Sequence, residues 1–164
     1  MANQHATEKA TLLWTIGPAA VFLTLLFVSA NHNTIAPKSR LMGDLTQNHF
    51  IPAVVEYQNK LIQNVQGLIS ILGDKAGKEA AKAQIQLVQE ISMHMNKMKD
   101  ASDAMLQQRK LANKIEDAEK KALAYCDKVK SQFDEIRYHA DKLELLVEDE
   151  LWPLPKFREL LFTR

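Results

Sequence analysis

Apolar side chains recur at alternating spacings of three and four residues between Ile115 and Val147. This spacing puts one narrow apolar stripe along an α-helix. The stripe consists of Ile115, Ala118, Ala122, Tyr125, Val129, Gln132, Ile136, Ala140, Leu143 and Val147. A helix cannot bury its own stripe, so the pattern predicts at least one more helix alongside, in a bundle or an antiparallel coiled coil.

Two further helices are predicted upstream. A wide apolar face runs over residues 41–72 and contains Pro52, which predicts a kink or a restart near residues 49–51. Gly73, Asp74 and Gly77 predict the end of this helix. The next apolar period runs from Ala80 to Met105 and weakens over residues 107–114, which places the following turn only to within several residues.

These patterns predict an all-α fold, built as an antiparallel bundle of three long helices or as coiled-coil hairpins. The third helix should stop before Pro153 and Pro155, because proline gives no backbone N–H and disfavours helical geometry in the residue before it. Residues 156–162 are too apolar for a loose tail. A proline-containing C-terminal tail that docks on the helices is therefore expected.

Residues 12–30 carry no charged side chain and predict an extra apolar N-terminal helix. The run is long enough for a membrane anchor, resembles a secretory signal, and also suits a buried helix or an extension foreign to the domain. Residues 31–40 are polar and contain Pro37, which predicts a linker. The expected division is a leader with its linker over residues 1–39 and a helical domain over residues 40–164.

Composition narrows the classes of partner. The 21 basic and 20 acidic residues leave a net charge of +1, so no nucleic-acid partner is predicted. The single Cys126 excludes a disulfide within the chain and a multi-cysteine zinc site. A membrane partner is expected only if residues 12–30 are a true anchor.

Glu90 and His94 are four residues apart, as are Glu135 and His139, and the four side chains suggest a metal site inside a bundle. Di-metal bundles use Glu-x-x-His, in which the ligands are three apart, so the spacing favours ordinary neighbours on a helix surface. There is no phosphate-binding glycine loop and no nucleophile or metalloprotease motif. No catalytic, cofactor-binding or metal-binding residue is assigned.

Two groups of residues carry a family resemblance. The segments 40–45, 48–53 and 57–59 resemble the start of the C-terminal helical region of type III glutamine synthetases. Its end is resembled by the segments 141–144, 149–155 and 159–162, together with Val147. The resemblance covers about residues 40–164. Its structural motif residues are Gly43, Asp44, Asn48, His49, Pro52, Tyr57, Gln58, Asn59, Trp152, Pro153, Pro155, Leu160, Leu161 and Phe162.

The resemblance implies a cytoplasmic ligase that joins ammonia to glutamate with ATP and Mg²⁺ or Mn²⁺ and assembles as stacked rings. It also implies nucleotide and metal sites on a β-rich catalytic domain upstream of the helical region. This chain is therefore expected to hold no cofactor, to lack activity alone, and to contact catalytic subunits or further copies of itself.

Residues 1–39 depart from the family. A truncated or frame-shifted gene is the favoured explanation. The alternative function is a membrane-anchored helical-bundle interaction protein.

Overall fold

The computed structural model describes residues 34–154. Helices and turns make up this part of the chain and no strand occurs within it, which confirms the all-α prediction. None of these helices combines the length and the apolar character needed to cross a bilayer. The expected apolar helix over residues 12–30 and the tail from Pro155 onward lie outside the described residues.

The first helical rod begins earlier than predicted. Helix α1 covers residues 34–45, so the prediction of a linker up to residue 40 is wrong from residue 34 onward. The polar composition and Pro37 suggested a linker, but Ile35 and Ser39 are buried in the core, which stabilises the helical form. Ser39 Oγ also donates to the Ala36 carbonyl at 2.8 Å.

Pro52 disturbs this rod without ending it. A π-helical segment, Thr46–Phe50, joins α1 to α2, Ile51–Leu72. The Ile51 N–H donates to the Thr46 carbonyl, one residue farther back than in an α-helix. In a regular α-helix the proline ring would crowd the carbonyl four residues earlier, and the wider π turn lies in that place. The predicted irregularity occurs here as a change of helix type.

Gly73 ends α2 as predicted, with a positive φ of 81° that suits glycine. Gly77 does not mark an end, because it lies inside the short helix α3, Asp74–Ala80. A Cβ on Gly77 would come within 2.4 Å of the Ile69 Cα atom. Glycine is needed here for close contact between α2 and α3, and the sequence pattern alone could not distinguish this use from a helix stop.

The remaining helices form two further rods, the second of the three made by α4 alone and the third by α5 and α6 with a π-helical segment between them. Helix α4 spans Lys82–Asn113. After a turn, α5 spans Ala118–Ala124, where the Asp117 side chain accepts from the Lys120 N–H and caps the helix. A second π-helical segment, Tyr125–Val129, leads through Lys130 into α6, Ser131–Leu146.

The first rod and α4 run antiparallel, because later residues of the first rod contact earlier residues of α4. Gly43 lies against Leu106, and Gln58 Nε2 donates to Ser92 Oγ at 2.8 Å. Helix α4 also packs on α6. Most of the predicted stripe is buried in this core, namely Ala122, Tyr125, Val129, Ile136, Ala140, Leu143 and Val147.

Candidate functional site

Two histidines meet at the centre of the contact between α4 and α6. His94 Nδ1 and His139 Nδ1 are 2.8 Å apart, and both side chains are buried. On the far side of this pair, His139 Nε2 lies 3.2 Å from the Glu135 carboxylate, which is at the surface. The three side chains form a polar line, here called the histidine relay, that runs from solvent into the core.

The chemistry of the groups fixes the direction of the hydrogen bonds. An ionised Glu135 only accepts, so His139 Nε2 is the donor to it. When His139 is neutral, its Nδ1 then has no hydrogen and accepts from His94 Nδ1. One extra proton can be held on His94 Nε2, which leaves a single hydrogen between the rings, but two hydrogens cannot occupy a 2.8 Å gap between nitrogens. The relay therefore tolerates one cationic imidazole and excludes two.

The surroundings oppose charge on His94. Burial lowers the pKa of His94 below its ordinary 6.5, and repulsion from His139 and Lys142 adds to this effect, while Glu90 acts in the opposite direction. Tyr138 lies edge-on to the rings of both histidines and carries Lys142 above its own ring, with the ammonium 5.6 Å from the ring centroid. These surroundings favour the neutral form of His94.

The relay differs from the sequence expectation. The interpretation of both Glu and His pairs as helix-surface neighbours is correct for Glu90 and Glu135 and wrong for His94 and His139, which are buried. Their positions on facing helices could not be inferred from spacing within one helix. Over residues 34–154, no group of three or more His, Cys, Asp or Glu side chains is arranged to hold a metal ion. The four residues thus do not fit the metal site considered from the sequence.

The motif residues near the first rod divide between core and surface. Gly43 and Gln58 are buried, and Tyr57 is half-buried. A Cβ on Gly43 would come within 3.0 Å of the Leu106 side chain, so glycine permits α1 to lie close to α4. The exposed members are Asp44, Asn48, His49, Pro52 and Asn59.

Two of these exposed residues contact one another. Asn48 Nδ2 donates to Asp44 Oδ1 at 2.6 Å across one helical turn. Packing therefore explains Gly43 and Gln58, while the exposed motif residues have no role in the core.

The C-terminal motif folds back on the same rod. The Trp152 ring stacks on the Phe50 ring, with centroids 5.1 Å apart and planes 6° from parallel, and both are buried. Glu148 forms an ion pair with Lys60 at 2.8 Å. Pro153 is exposed, and Pro155, Leu160, Leu161 and Phe162 lie outside the described residues.

Comparison with known proteins shows to which proteins the sequence of this chain is similar. The chain is 39% identical over 127 residues to a glutamine synthetase of Bacteroides fragilis (strain YCH46), a match that covers 77% of the chain and 17% of the relative. The chain is homologous to a segment of glutamine synthetases. A type-3 glutamine synthetase of Dictyostelium discoideum is 24% identical over 133 residues, or 81% of the chain and 18% of that relative. No protein-family model matches the chain.

The comparisons confirm the family resemblance. The chain spans less than a fifth of the length of these two glutamine synthetases.

Proposed function

We propose that this chain is the C-terminal helical region of a type III glutamine synthetase, with a structural and subunit-contact role. The observation that carries the proposal is coverage: the match takes in 77% of the chain but only 17% of the Bacteroides fragilis relative. The motif groups at residues 40–59 and 141–162 occur in the order in which the family resemblance has them.

The proposed architecture is an antiparallel bundle of three rods, completed by the tail from Pro155 onward. The antiparallel contacts between the first rod and α4 support this architecture. The stack of Trp152 on Phe50, which lies just before the tail, supports it as well. In this proposal Gly43, Gln58 and Trp152 hold the bundle together. The exposed motif residues Asp44 and His49 face the rest of the enzyme.

The chain is proposed to lack turnover by itself, because nucleotide and metal binding would reside in the portion of the enzyme that this chain does not span. Purified chain incubated with glutamate, ATP, Mg²⁺ and ammonia should release no phosphate above background. Formation of glutamine by the purified chain would overturn this part of the proposal.

Association tests the subunit-contact role directly. The Bacteroides fragilis enzyme lacking its aligned segment would be mixed with the chain, and the mixture would be examined by sedimentation velocity. Co-sedimentation of the two is expected. As a matched pair, Asp44→Ala changes the exposed motif surface, while Gln63→Ala changes an exposed α2 residue outside the motif.

If Asp44→Ala weakens co-sedimentation and Gln63→Ala does not, the result supports the motif surface as the contact. No co-sedimentation of the unmodified chain would overturn the proposed role.

A cytoplasmic location is part of the same proposal, with ATP and a divalent metal bound elsewhere in the assembled ligase. Fractionation of cells that express the full chain tests it. Retention in membranes after an alkaline carbonate wash would favour anchoring through residues 12–30 instead.

A further inference from the structure

The histidine relay lies between two anchors of the third rod. Before the relay, Tyr125 Oη donates to Asn113 Oδ1 at 2.7 Å, which ties the start of the π-helical segment to the last residue of α4. After the relay, the Trp152 ring stacks on the Phe50 ring and holds the chain beyond α6 on the first rod. Between these anchors α6 packs chiefly on α4. The attachment of α6 therefore depends on the contact that contains the relay.

The first rod and α4 are held together without α6. Gln58 Nε2 donates to Ser92 Oγ at 2.8 Å, and Gly43 lets α1 lie against Leu106. Neither contact includes a residue of the third rod. The hairpin of α2 and α4 can therefore keep its own contacts when α6 separates from α4.

A groove of about 410 Å³ between α4 and α6 gives water access to the outer end of the relay. Ala101 and Ala104 form part of its α4 wall, and Glu135 stands on the α6 side. Glu135 also accepts the hydrogen bond from His139 Nε2. Because one carboxylate belongs to both the groove and the relay, protons can pass between solvent and the buried pair.

The proton count of the pair differs between the closed and the separated helices. In the closed contact only one extra proton fits, because a single hydrogen occupies the 2.8 Å gap between the two Nδ1 atoms. Separated and exposed, each imidazole takes up its own proton near about pH 6.5. The open form thus binds more protons than the closed form. Its population must rise as the pH falls, by up to about tenfold per pH unit for each additional proton.

The groups around the pair act on the first proton and not on this limit. The charged residues that act on His94 belong to α4 and α6: Glu90 favours a positive charge there, while Lys142 opposes it. Burial of His94 lowers its pKa and acts in the same direction as Lys142. The charged and titratable groups that surround the relay and its groove are Glu90, Lys97, Asp100, Glu135, Tyr138 and Lys142. None of these groups changes the number of hydrogens that fit between the rings.

We propose that the histidine relay is an acid-operated release for α6, in which the pair takes up its second proton only as α6 separates from α4 between the two anchors. The hairpin of α2 and α4 stays folded during this local opening. Opening exposes apolar side chains of α6 that are now buried, among them Ile136 and Leu143. The release is a property of the chain alone and does not depend on the proposed subunit-contact role.

Hydrogen exchange of the full chain, followed by mass spectrometry at pH 7.5 and pH 5.0, tests the proposal. After correction for the intrinsic effect of pH on exchange, protection of peptides from α6 should fall at least about tenfold between the two pH values. Peptides from residues 51–60 of α2 should lose much less protection. An equal loss in α2 and α6 would mean that the whole bundle opens, and it would overturn the proposal, as would unchanged protection of α6.

Two variants locate the effect in the relay. His94→Gln leaves one titrating ring in the contact, and the double variant His94→Phe with His139→Phe leaves none. Both should abolish the loss of α6 protection at pH 5.0, whereas His49→Gln, which changes an exposed histidine, should retain it. Far-UV circular dichroism at pH 7.5 verifies that each variant is helical. A loss of α6 protection that persists in either relay variant would overturn the assignment to this pair.

Tryptophan fluorescence tests the anchors independently. In a Trp14→Phe background, Trp152 is the single tryptophan of the chain. Its emission should keep the same wavelength at pH 7.5 and pH 5.0, because the stack on Phe50 stays closed while α6 opens. A shift to the wavelength of a solvent-exposed indole would show that the end of the third rod leaves the first rod, and it would overturn the anchored opening.

Discussion

His94 and His139 share a hydrogen bond of 2.8 Å between like nitrogens, Nδ1 to Nδ1, in the contact between α4 and α6. Such a bond needs one ring to donate and the other to accept. Full protonation of both rings removes the acceptor and puts two positive charges in the core. Packing of α4 on α6 is therefore coupled to the proton count of this pair.

Stability should fall as the pH is lowered through the histidine range. The pKa of His94 is lowered from 6.5 in the folded chain, so the unfolded chain binds the additional proton first. The contribution of His94 is fully present above about pH 6.5 and is lost as the pH falls through the folded pKa. Each extra proton bound by the unfolded state gives a slope of about 1.4 kcal/mol per pH unit.

Urea unfolding between pH 8 and pH 5 measures this slope. The charged and titratable groups around His94 and its partner are Glu90, Glu135, Tyr138, His139 and Lys142. His94→Gln removes the titrating ring and should flatten the slope. His49→Gln changes an exposed histidine and should not. An unchanged slope in His94→Gln would refute the assignment to His94.

The two histidines should be strongly coupled at pH 8. Replacing only His139 by Phe leaves His94 Nδ1 buried without its partner, at a cost of about 1–3 kcal/mol. Replacing both by Phe removes both polar groups from the contact, so the double variant should be more stable than the sum of the single losses predicts. A double-mutant cycle from urea unfolding measures the coupling, and strictly additive effects would contradict it.

The sequence predicted helix periodicity better than the partners of the helices. The stripe around Tyr125 and Val129 is buried as expected, because three-and-four spacing is a property of one helix. The histidine relay joins His94 of α4 to His139 of α6, and no local pattern reveals a contact between residues 45 positions apart in sequence. The second π-helical segment, Tyr125–Val129, was not predicted either, since it contains no proline or glycine.

Family motifs added information that periodicity lacks. They selected Trp152, whose partner Phe50 stands at the end of the first π-helical segment. Neither residue by itself predicts this stack. The helical form of residues 34–40 and the packing use of Gly77 depended on tertiary contacts, so composition alone led to a linker and a helix stop.

Removal of the Trp152 ring should destabilise the bundle. Trp152→Ala deletes a buried aromatic side chain and its stack on Phe50, with an expected loss of about 3–5 kcal/mol in the free energy of unfolding. Trp152→Phe keeps an aromatic ring and should lose less. Thermal and urea unfolding followed by circular dichroism measure both.

Two neighbouring changes serve as controls for Trp152. Leu154→Ala alters a partly exposed side chain close in sequence, and Lys60→Ala removes a solvent-exposed ion pair with Glu148 that should contribute little to stability. If Trp152→Ala cost no more than these controls, the stack would not stabilise the fold.

Gly67 in α2 and Gly77 in α3 should respond oppositely to alanine. A Cβ at Gly67 meets nothing within 4 Å, so Gly67→Ala should stabilise the chain by up to about 1 kcal/mol through helix propensity. A Cβ at Gly77 would lie 2.4 Å from the Ile69 Cα and 2.9 Å from the Leu68 carbonyl oxygen. Backbone atoms cannot move aside as a flexible side chain can, so Gly77→Ala should separate α3 from α2 and destabilise the chain by about 1–3 kcal/mol. Urea unfolding of the two variants at one pH gives the comparison, and a stabilising Gly77→Ala would show that the close contact of α3 with α2 is not required.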